Sequence, residues 1–515
     1  MGTSRTEKAL RNSAISIIAH FIILVLGFIN RKAFVSFLNI EYLGYDNLFA
    51  NIFNLLDVTE LGIGGIIAFH IYKALANDNH EEISKLMYLY KCVYNIVAVV
   101  VLFLGIIIFF FLPYIIKDGD LNWSFVHKIY LIQLSGVVIG YLLSYVRTLF
   151  NSDQMEYKTV IIDLISSLLI QILQLIAIIY FRNYLLYVII RLFKDIIANI
   201  IIYIWTYKYY PYLKKIKIHV TKDYIQKLSL VKDVKNLLVH RLAYAVYGGT
   251  DNIVISVICG IKNVALYANY YMIVNQVNSL VLYKFLNPIR ASIGNYVYTE
   301  KDFSKQHKTF YLLDTVCVWI ASYAMAGYVL FFQPVIRIWL GSEFLLSYTF
   351  VLLFSFTSYL GISCEMLWKY RCTFGHYEKD RVYMIISAIL NLTISVVLAK
   401  RWGLIGIQIG TIFGLCAIFY GRLKVVFEDL LLLSKKQYII KHFCYFILEV
   451  IECSIMIFGA VFIGKGIVNI IVRIFLFITI PTLMNFLYFR KTDEFLSIKE
   501  YFFNLISKVR RKRVK

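Results

Sequence analysis

The chain is poor in residues that break, cross-link or solvate a fold. Five prolines and 26 glycines in 515 residues leave no room for long unstructured linkers or a collagen-like repeat. Charged residues make up only 16%, against roughly 25% in a soluble globular protein. That shortage excludes both a single water-soluble domain and a disordered chain. The eight cysteines show no CxxC and no paired spacing, so neither disulfides nor a metal cluster is indicated. Nine histidines form no HxxxH or HExxH, and there is no GxxxxGK phosphate loop, so no ATPase resides in the chain. The one enzyme-like motif is Asp118-Gly119-Asp120, in a loop of 16 residues. Two solvated aspartates explain it, and no catalytic residue is expected.

What is present is apolar surface: 60% hydrophobic residues and a mean hydropathy of +0.70. A helix needs roughly 20 apolar residues to cross a bilayer. Hydropathy windows predict fourteen spans, at 13–36, 43–71, 87–112, 129–150, 159–181, 185–207, 237–258, 264–289, 310–336, 347–368, 382–399, 404–421, 442–463 and 467–489. The expected fold is therefore an all-α integral membrane protein. The first span follows Arg5, Lys8 and Arg11 without a small-residue cleavage site, and reads as a retained helix.

The net charge of +22 is placed by topology, and no nucleic-acid partner is expected. With the N-terminus inside, the inner segments hold 35 Lys and Arg and the outer loops about eight. The positive-inside rule then puts both termini in the cytosol. Five of six tryptophans fall at expected interfaces, and only Trp319 lies within a span. The basic tail, with Arg510, Arg511, Lys512 and Arg513, reads as an anchor to anionic membrane lipids.

Spans one to six and seven to twelve begin on the same side. A shift of 220 residues sets Asn30-Arg31 on Thr250-Asp251 and Ser36 on Ser256. This implies two parallel six-helix lobes related by an axis along the membrane normal. The expected parts are an N-terminal lobe, 1–207; a basic linker with an amphipathic helix, 208–236; a C-terminal lobe, 237–425; helices thirteen and fourteen, 426–489; and a basic tail, 490–515. Such an architecture suits alternating access.

Charges inside a bilayer cost several kcal/mol unless paired or hydrated, so each is a functional candidate. The cations are Arg31, Arg147, Arg191, Lys194, Arg241, Lys284, Arg290 and Arg473. The acids are Asp57, Glu60, Asp163, Asp195, Asp251, Asp314, Glu365, Glu449 and Glu452. Asp251 follows Gly248-Gly249, where a helix could unwind, and Glu60 stands beside Gly62, Gly64 and Gly65. Asp195, four residues after Arg191, reads as a local ion pair. Glu449 and Glu452 sit in the appended helices and rank low.

Several segments resemble the polysaccharide repeat-unit flippases. These are O-antigen and capsule translocases of the multidrug/oligosaccharidyl-lipid/polysaccharide exporter superfamily. The segments are Glu41-Tyr42-Leu43-Gly44-Tyr45, then Thr59-Glu60-Leu61-Gly62-Ile63-Gly64-Gly65, and Gly249-Thr250-Asp251-Asn252-Ile253-Val254-Ile255-Ser256. Further on come Thr373-Phe374-Gly375-His376-Tyr377 with Arg381, Asn391, and Gly403-Leu404-Ile405-Gly406. They occur in order over nearly the whole chain.

The resemblance implies a MATE-like fold in a bacterial cytoplasmic (inner) membrane. It implies a flippase that carries a polyprenyl-diphosphate-linked oligosaccharide from the inner to the outer leaflet for surface polysaccharide biosynthesis. Arginine offers a planar fork of donors matched to phosphate oxygens. On this reading Arg31, Arg290, Arg241 and Arg147 hold the diphosphate. Asp251, Glu60, Asp57, Asp314 and Glu365 serve H+ or Na+ coupling or gating, without a cofactor or bound metal. A polysaccharide polymerase is an expected partner. The alternatives are a cation-coupled multidrug exporter on the same fold and a non-transporting component of a glycan-assembly complex.

Overall fold

Helix ends in this chain are written largely by asparagine. Asn39, Asn79, Asn122 and Asn183 each accept a backbone N–H of the helix they open, and Asp302 and Ser347 do the same. A side-chain cap satisfies one of the four amides that a helix start leaves unpaired.

The computed structural model describes residues 5–57, 63–215, 242–243, 245–286, 289, 293–294, 296–297, 299–374, 378–461 and 467–500. Among them there are helices and no strands. The N-terminal part contains α1 (Arg5–Phe37), α2 (Ile40–Leu56), α3 (Ile63–Ala76), α4 (His80–Ile115), α5 (Trp123–Ser144), α6 (Arg147–Ser152), α7 (Glu156–Ile179), α8 (Tyr184–Tyr209) and α9 (Tyr212–Lys215). Next come α10 (Asp251–Val254), which runs on as a π-helix over Ile255–Cys259, and α11 (Ile261–Asn278). Then follow α12 (Phe303–Trp339), α13 (Tyr348–Ser363), α14 (Glu365–Thr373), α15 (Arg381–Trp402), α16 (Leu404–Lys424), α17 (Lys435–Val461) and α18 (Ile467–Phe489).

Where they are described, the fourteen expected spans coincide with helix, and among the described residues ten helices are long and apolar enough to cross a membrane. The other four expected spans have visible reasons for falling short. Span two is described on either side of residues 58–62, as α2 and α3, and those five residues lie outside the described ones. Span six, α8, carries Arg191, Lys194 and Asp195. Span seven is described only in part, and span eight passes from α-helix to π-helix at Ser279–Leu286. Large apolar side chains such as Phe103 on α4 and Phe475 on α18 stand 64% and 62% exposed, as lipid-facing residues do.

The chain forms two compact units, Met1–Ala265 and Leu266–Lys515. In the first, the loop after α4 is tied to the turn after α10. The Ile261 amide donates to the Lys117 carbonyl at 3.1 Å, and Ser256 Oγ donates to the Ile115 carbonyl at 2.8 Å. The amphipathic helix expected in 208–236 lies largely outside the described residues.

In the second unit, α15 and α16 form a tight hairpin about Gly403, whose φ is +55°, a conformation glycine adopts without a Cβ penalty. A Cβ on Gly410 would lie 2.8 Å from the Asn391 carbonyl oxygen, and one on Gly406 would lie 2.6 Å from that of Leu398. Small residues thus let the two backbones touch, the usual device where lipid offers no hydrophobic driving force between helices. The unit's core gathers Phe310, Met366, Tyr370, Phe427 and Tyr438 in one cluster and Met325, Val329, Tyr359, Cys453 and Met456 in another.

Candidate functional site

The first unit holds an open cavity of about 740 Å³ lined by α1, α2, α5, α6, α7 and α8. Its lining is unusually polar for so apolar a chain. It includes Asp57, Gln133, Tyr141, Arg147, Asp163, Arg191, Lys194 and Asn199. Sugars and diphosphates need such convergent donors and acceptors, whereas an apolar drug needs few.

Two arginine forks stiffen the wall. Arg147 presents Nη1 and Nη2 to the two Asp163 oxygens at 2.7 and 2.8 Å, and its Nε donates to Asn199 Oδ1 at 2.7 Å. Arg191 reaches from α8 to α2 and grips Asp46 with two contacts of 2.6 Å. Asp46 also accepts from the Tyr184 hydroxyl at 3.1 Å and from Gln133 Nε2 at 3.3 Å. Aromatic rings pack around this carboxylate: Tyr42 stacks on Tyr184 at 4.5 Å, and Phe34 meets Tyr187 edge-on at 5.2 Å. Bidentate guanidinium–carboxylate pairs are geometrically selective as well as strong. Lys194 differs from both arginines. It lines the cavity with no carboxylate bound to it among the described residues.

Arg31 lies on α1 beside this network. Its charge interacts with Tyr187 and Asp46, its Nη1 is buried with no hydrogen-bond partner among the described residues, and it stands outside the cavity lining. Asp57 caps the C-terminus of α2, lines the cavity and accepts the Tyr141 hydroxyl proton. Asp251 opens α10, outside the cavity lining.

In the second unit, Asp314 is buried on α12 and accepts from the Tyr438 hydroxyl at 2.7 Å, with His442 Nε2 at 2.9 Å. Glu365 pairs with Lys369 one turn along α14 at 2.7 Å. Arg371 bonds Asp380 at 3.0 Å, and its guanidinium and that of Arg422 both lie over Trp368, at 4.4 and 4.3 Å. Glu60, Arg241 and Arg290 lie outside the described residues.

Sequence reasoning thus singled out Arg147, Asp57, Asp163, Arg191 and Lys194, which the fold brings to one cavity. It missed Asp46, Asn199 and Gln133. Arg191 was expected to pair within its own helix, and its carboxylate partner is Asp46. Asp46 lies three residues inside the expected second span, and that position was the available signal.

A second polar knot seals the edge of this unit. Glu41, fully buried, accepts the Asp120 amide at 3.0 Å, and Lys262 Nζ bridges Glu41 at 3.2 Å and Asp120 at 3.3 Å. Lys117 Nζ adds a bond to the Ile258 carbonyl at 3.2 Å. Its hydrogen bond with Glu41, and then Lys262, hold the Asp120 carboxyl below its ordinary range.

Among the described residues, ten helices long and apolar enough to cross a membrane, and a polar, cation-rich cavity in the first unit, define a multi-pass membrane protein. The chain belongs to the polysaccharide biosynthesis protein family, whose model matches residues 9–286. It is similar in fold to the lipid II flippase MurJ in an inward closed conformation, with a TM-score of 0.67 at 14% identity, covering 93% of this chain and 99% of that one. An inward-facing MATE-family multidrug resistance transporter of the MOP superfamily aligns with a TM-score of 0.59 at 14% identity, over 80% of this chain and 96% of that one. A MOP-superfamily transporter from Pyrococcus furiosus gives 0.53 at 14% identity, over 83% and 99%. No curated protein matches in sequence.

Proposed function

We propose that this protein moves a polyprenyl-diphosphate-linked oligosaccharide from the inner to the outer leaflet of a bacterial cytoplasmic membrane by alternating access. The observation that carries the reading is the cavity of the first unit, with Arg147, Arg191 and Lys194 in its wall, in a chain of the polysaccharide biosynthesis family. A volume of about 740 Å³ is in the range of small-ligand sites and suits a diphosphate with its first sugars, while the polyprenyl tail stays in lipid. Lys194 adds a further positive charge to the lining, and Arg31, beside the lining, has a buried Nη1 with no partner among the described residues. A diphosphate arriving here would compete with Asp46 and Asp163 for the arginine forks, so cargo binding and the ion pairs of the wall would be exclusive states. Low-dielectric walls strengthen each of those contacts.

The test uses the native host with Arg31→Ala at normal abundance and mass spectrometry of polyprenyl-diphosphate glycans. The expected result is accumulation of a complete repeat unit on its lipid with loss of surface polymer. Unchanged glycan lipids and full surface polymer would overturn the reading, and increased sensitivity to cationic drugs would move it to the exporter class.

A further inference from the structure

Helix α17 carries a second polar system, separate from the cavity of the first unit. Tyr438, His442, Tyr445, Glu449 and Glu452 recur at steps of four and three residues, which places them on one face of the helix. All five pack inward, against α12 and its neighbours. Asp314 of α12 accepts from Tyr438 and pairs with His442. Val318 of α12 packs on Tyr445. Ser322 of α12 donates to Glu452 Oε2 at 2.9 Å.

The deep end of this seam is the anomaly. Glu449 and Glu452 are 2% and 0% exposed, near the middle of a 27-residue membrane helix. They lie roughly 21 and 26 Å along the axis from Lys435 at a rise of 1.5 Å per residue. Among the described residues no Lys, Arg or His nitrogen pairs with either. Glu449 accepts a weak thiol donor, Cys453 Sγ at 3.5 Å, and shares the Ser322 hydroxyl with Glu452. Among the described residues Glu452 Oε1 is buried without a partner, and so is the hydroxyl of Tyr359 on α13, itself 2% exposed and electrostatically linked to both carboxyls.

Two ionised carboxylates side by side in lipid would cost several kcal/mol each, and such groups shed their charge instead. A metal ion is not favoured, because no group of three acidic, histidine or cysteine side chains assembles among the described residues. A proton solves the problem with the atoms at hand. It removes the charge and adds one donor to a site with two unsatisfied oxygens.

We propose that Glu449 and Glu452 form a proton-binding site in the second unit, filled along the α17 seam that begins at His442 and Asp314. The proton comes from water at the lysine-bearing end of α17 and rests on a carboxyl oxygen, and no bond between heavy atoms changes. The groups that face the pair are few. They are Ser322 and, further along, Asp314 from α12; Tyr359 from α13; Cys453 from α17 itself; and Asn485 from α18, whose Nδ2 donates to Ser322 Oγ at 3.3 Å. Near the entry, Lys441 is held by Glu494 at 2.5 Å and leaves His442 to Asp314. Chains of Asp, Glu and His across helix interfaces are the usual material of proton relays.

The experiment is infrared spectroscopy of the full-length protein in liposomes at neutral pH, with and without isotopically labelled glutamate. We expect a carbonyl band of a neutral carboxylic acid that shifts with the label and is lost in E449Q/E452Q. Absence of a label-sensitive band, or its persistence in the double variant, would overturn the site. Glutamine copies the shape of a protonated glutamate, so E449Q and E452Q are expected to purify folded. Collapse of both single variants would also count against a neutral pair. The readout contains no transport step, so it stands or fails apart from the diphosphate reading.

Discussion

Arg147 and Asp163 meet fork to fork, 2.7 and 2.8 Å apart, and Asn199 completes the guanidinium's third contact. The pair is half-buried, with side chains 25% and 41% exposed. Removing one partner should therefore cost more than a surface pair, about 1 kcal/mol, and less than a fully buried one, roughly 3–5 kcal/mol. Arg147→Met and Asp163→Asn are expected to lower the melting temperature by similar amounts, with the double variant far from additive. A double-mutant cycle on the purified protein measures this, and additive losses would mean the contact contributes nothing.

Asp46 is the hinge of the other fork. It holds Arg191, Tyr184 and Gln133 at once and lies in the field of Arg31. Asp46→Asn keeps the shape and removes the charge, which strands two cations. Surface polymer is expected to fall at least as far as in Arg31→Ala, since removing one partner of a largely buried pair leaves the other charge uncompensated. Polymer at the wild-type level would show that the ion pair is dispensable.

The α15–α16 hairpin predicts a packing phenotype. Gly410→Leu forces atoms into space occupied by the Asn391 carbonyl, and overpacking of this kind costs about 1–3 kcal/mol or more. Gly361, where a Cβ would meet nothing within 4 Å, serves as control. Size-exclusion profiles should show aggregation for Gly410→Leu and a normal peak for Gly361→Ala.

The knot of Glu41, Asp120 and Lys262 should respond to acid. Asp120's carboxyl is depressed by Glu41 first and Lys262 second. A depressed acid contributes at pH values above its unfolded pKa, and that contribution disappears as pH falls through the folded one. Spin labels at positions 121 and 263 should report a narrow distance distribution at neutral pH that broadens at low pH. Lys262→Met should broaden it already at neutral pH.

Much of the fold was legible because apolar length alone fixes where helices cross a membrane. The partners of Arg147 and Arg191 lie 16 and 145 residues away, and spacing within one helix cannot reveal such contacts. It pointed instead to Asp195 for Arg191. Glu449 and Glu452 ranked low for standing in the appended helices. Their four-and-three spacing with His442 was already visible and was the better signal.

The asparagine caps have a consequence for the bilayer. A helix whose first amides are held by its own side chain has a fixed start and cannot gain a turn to match thicker lipid. Hydrophobic mismatch is then left to tilt. A change in acyl length should re-angle the capped helices α2, α5 and α8 as rods, so membrane thickness becomes an input to the cavity those rods help to wall.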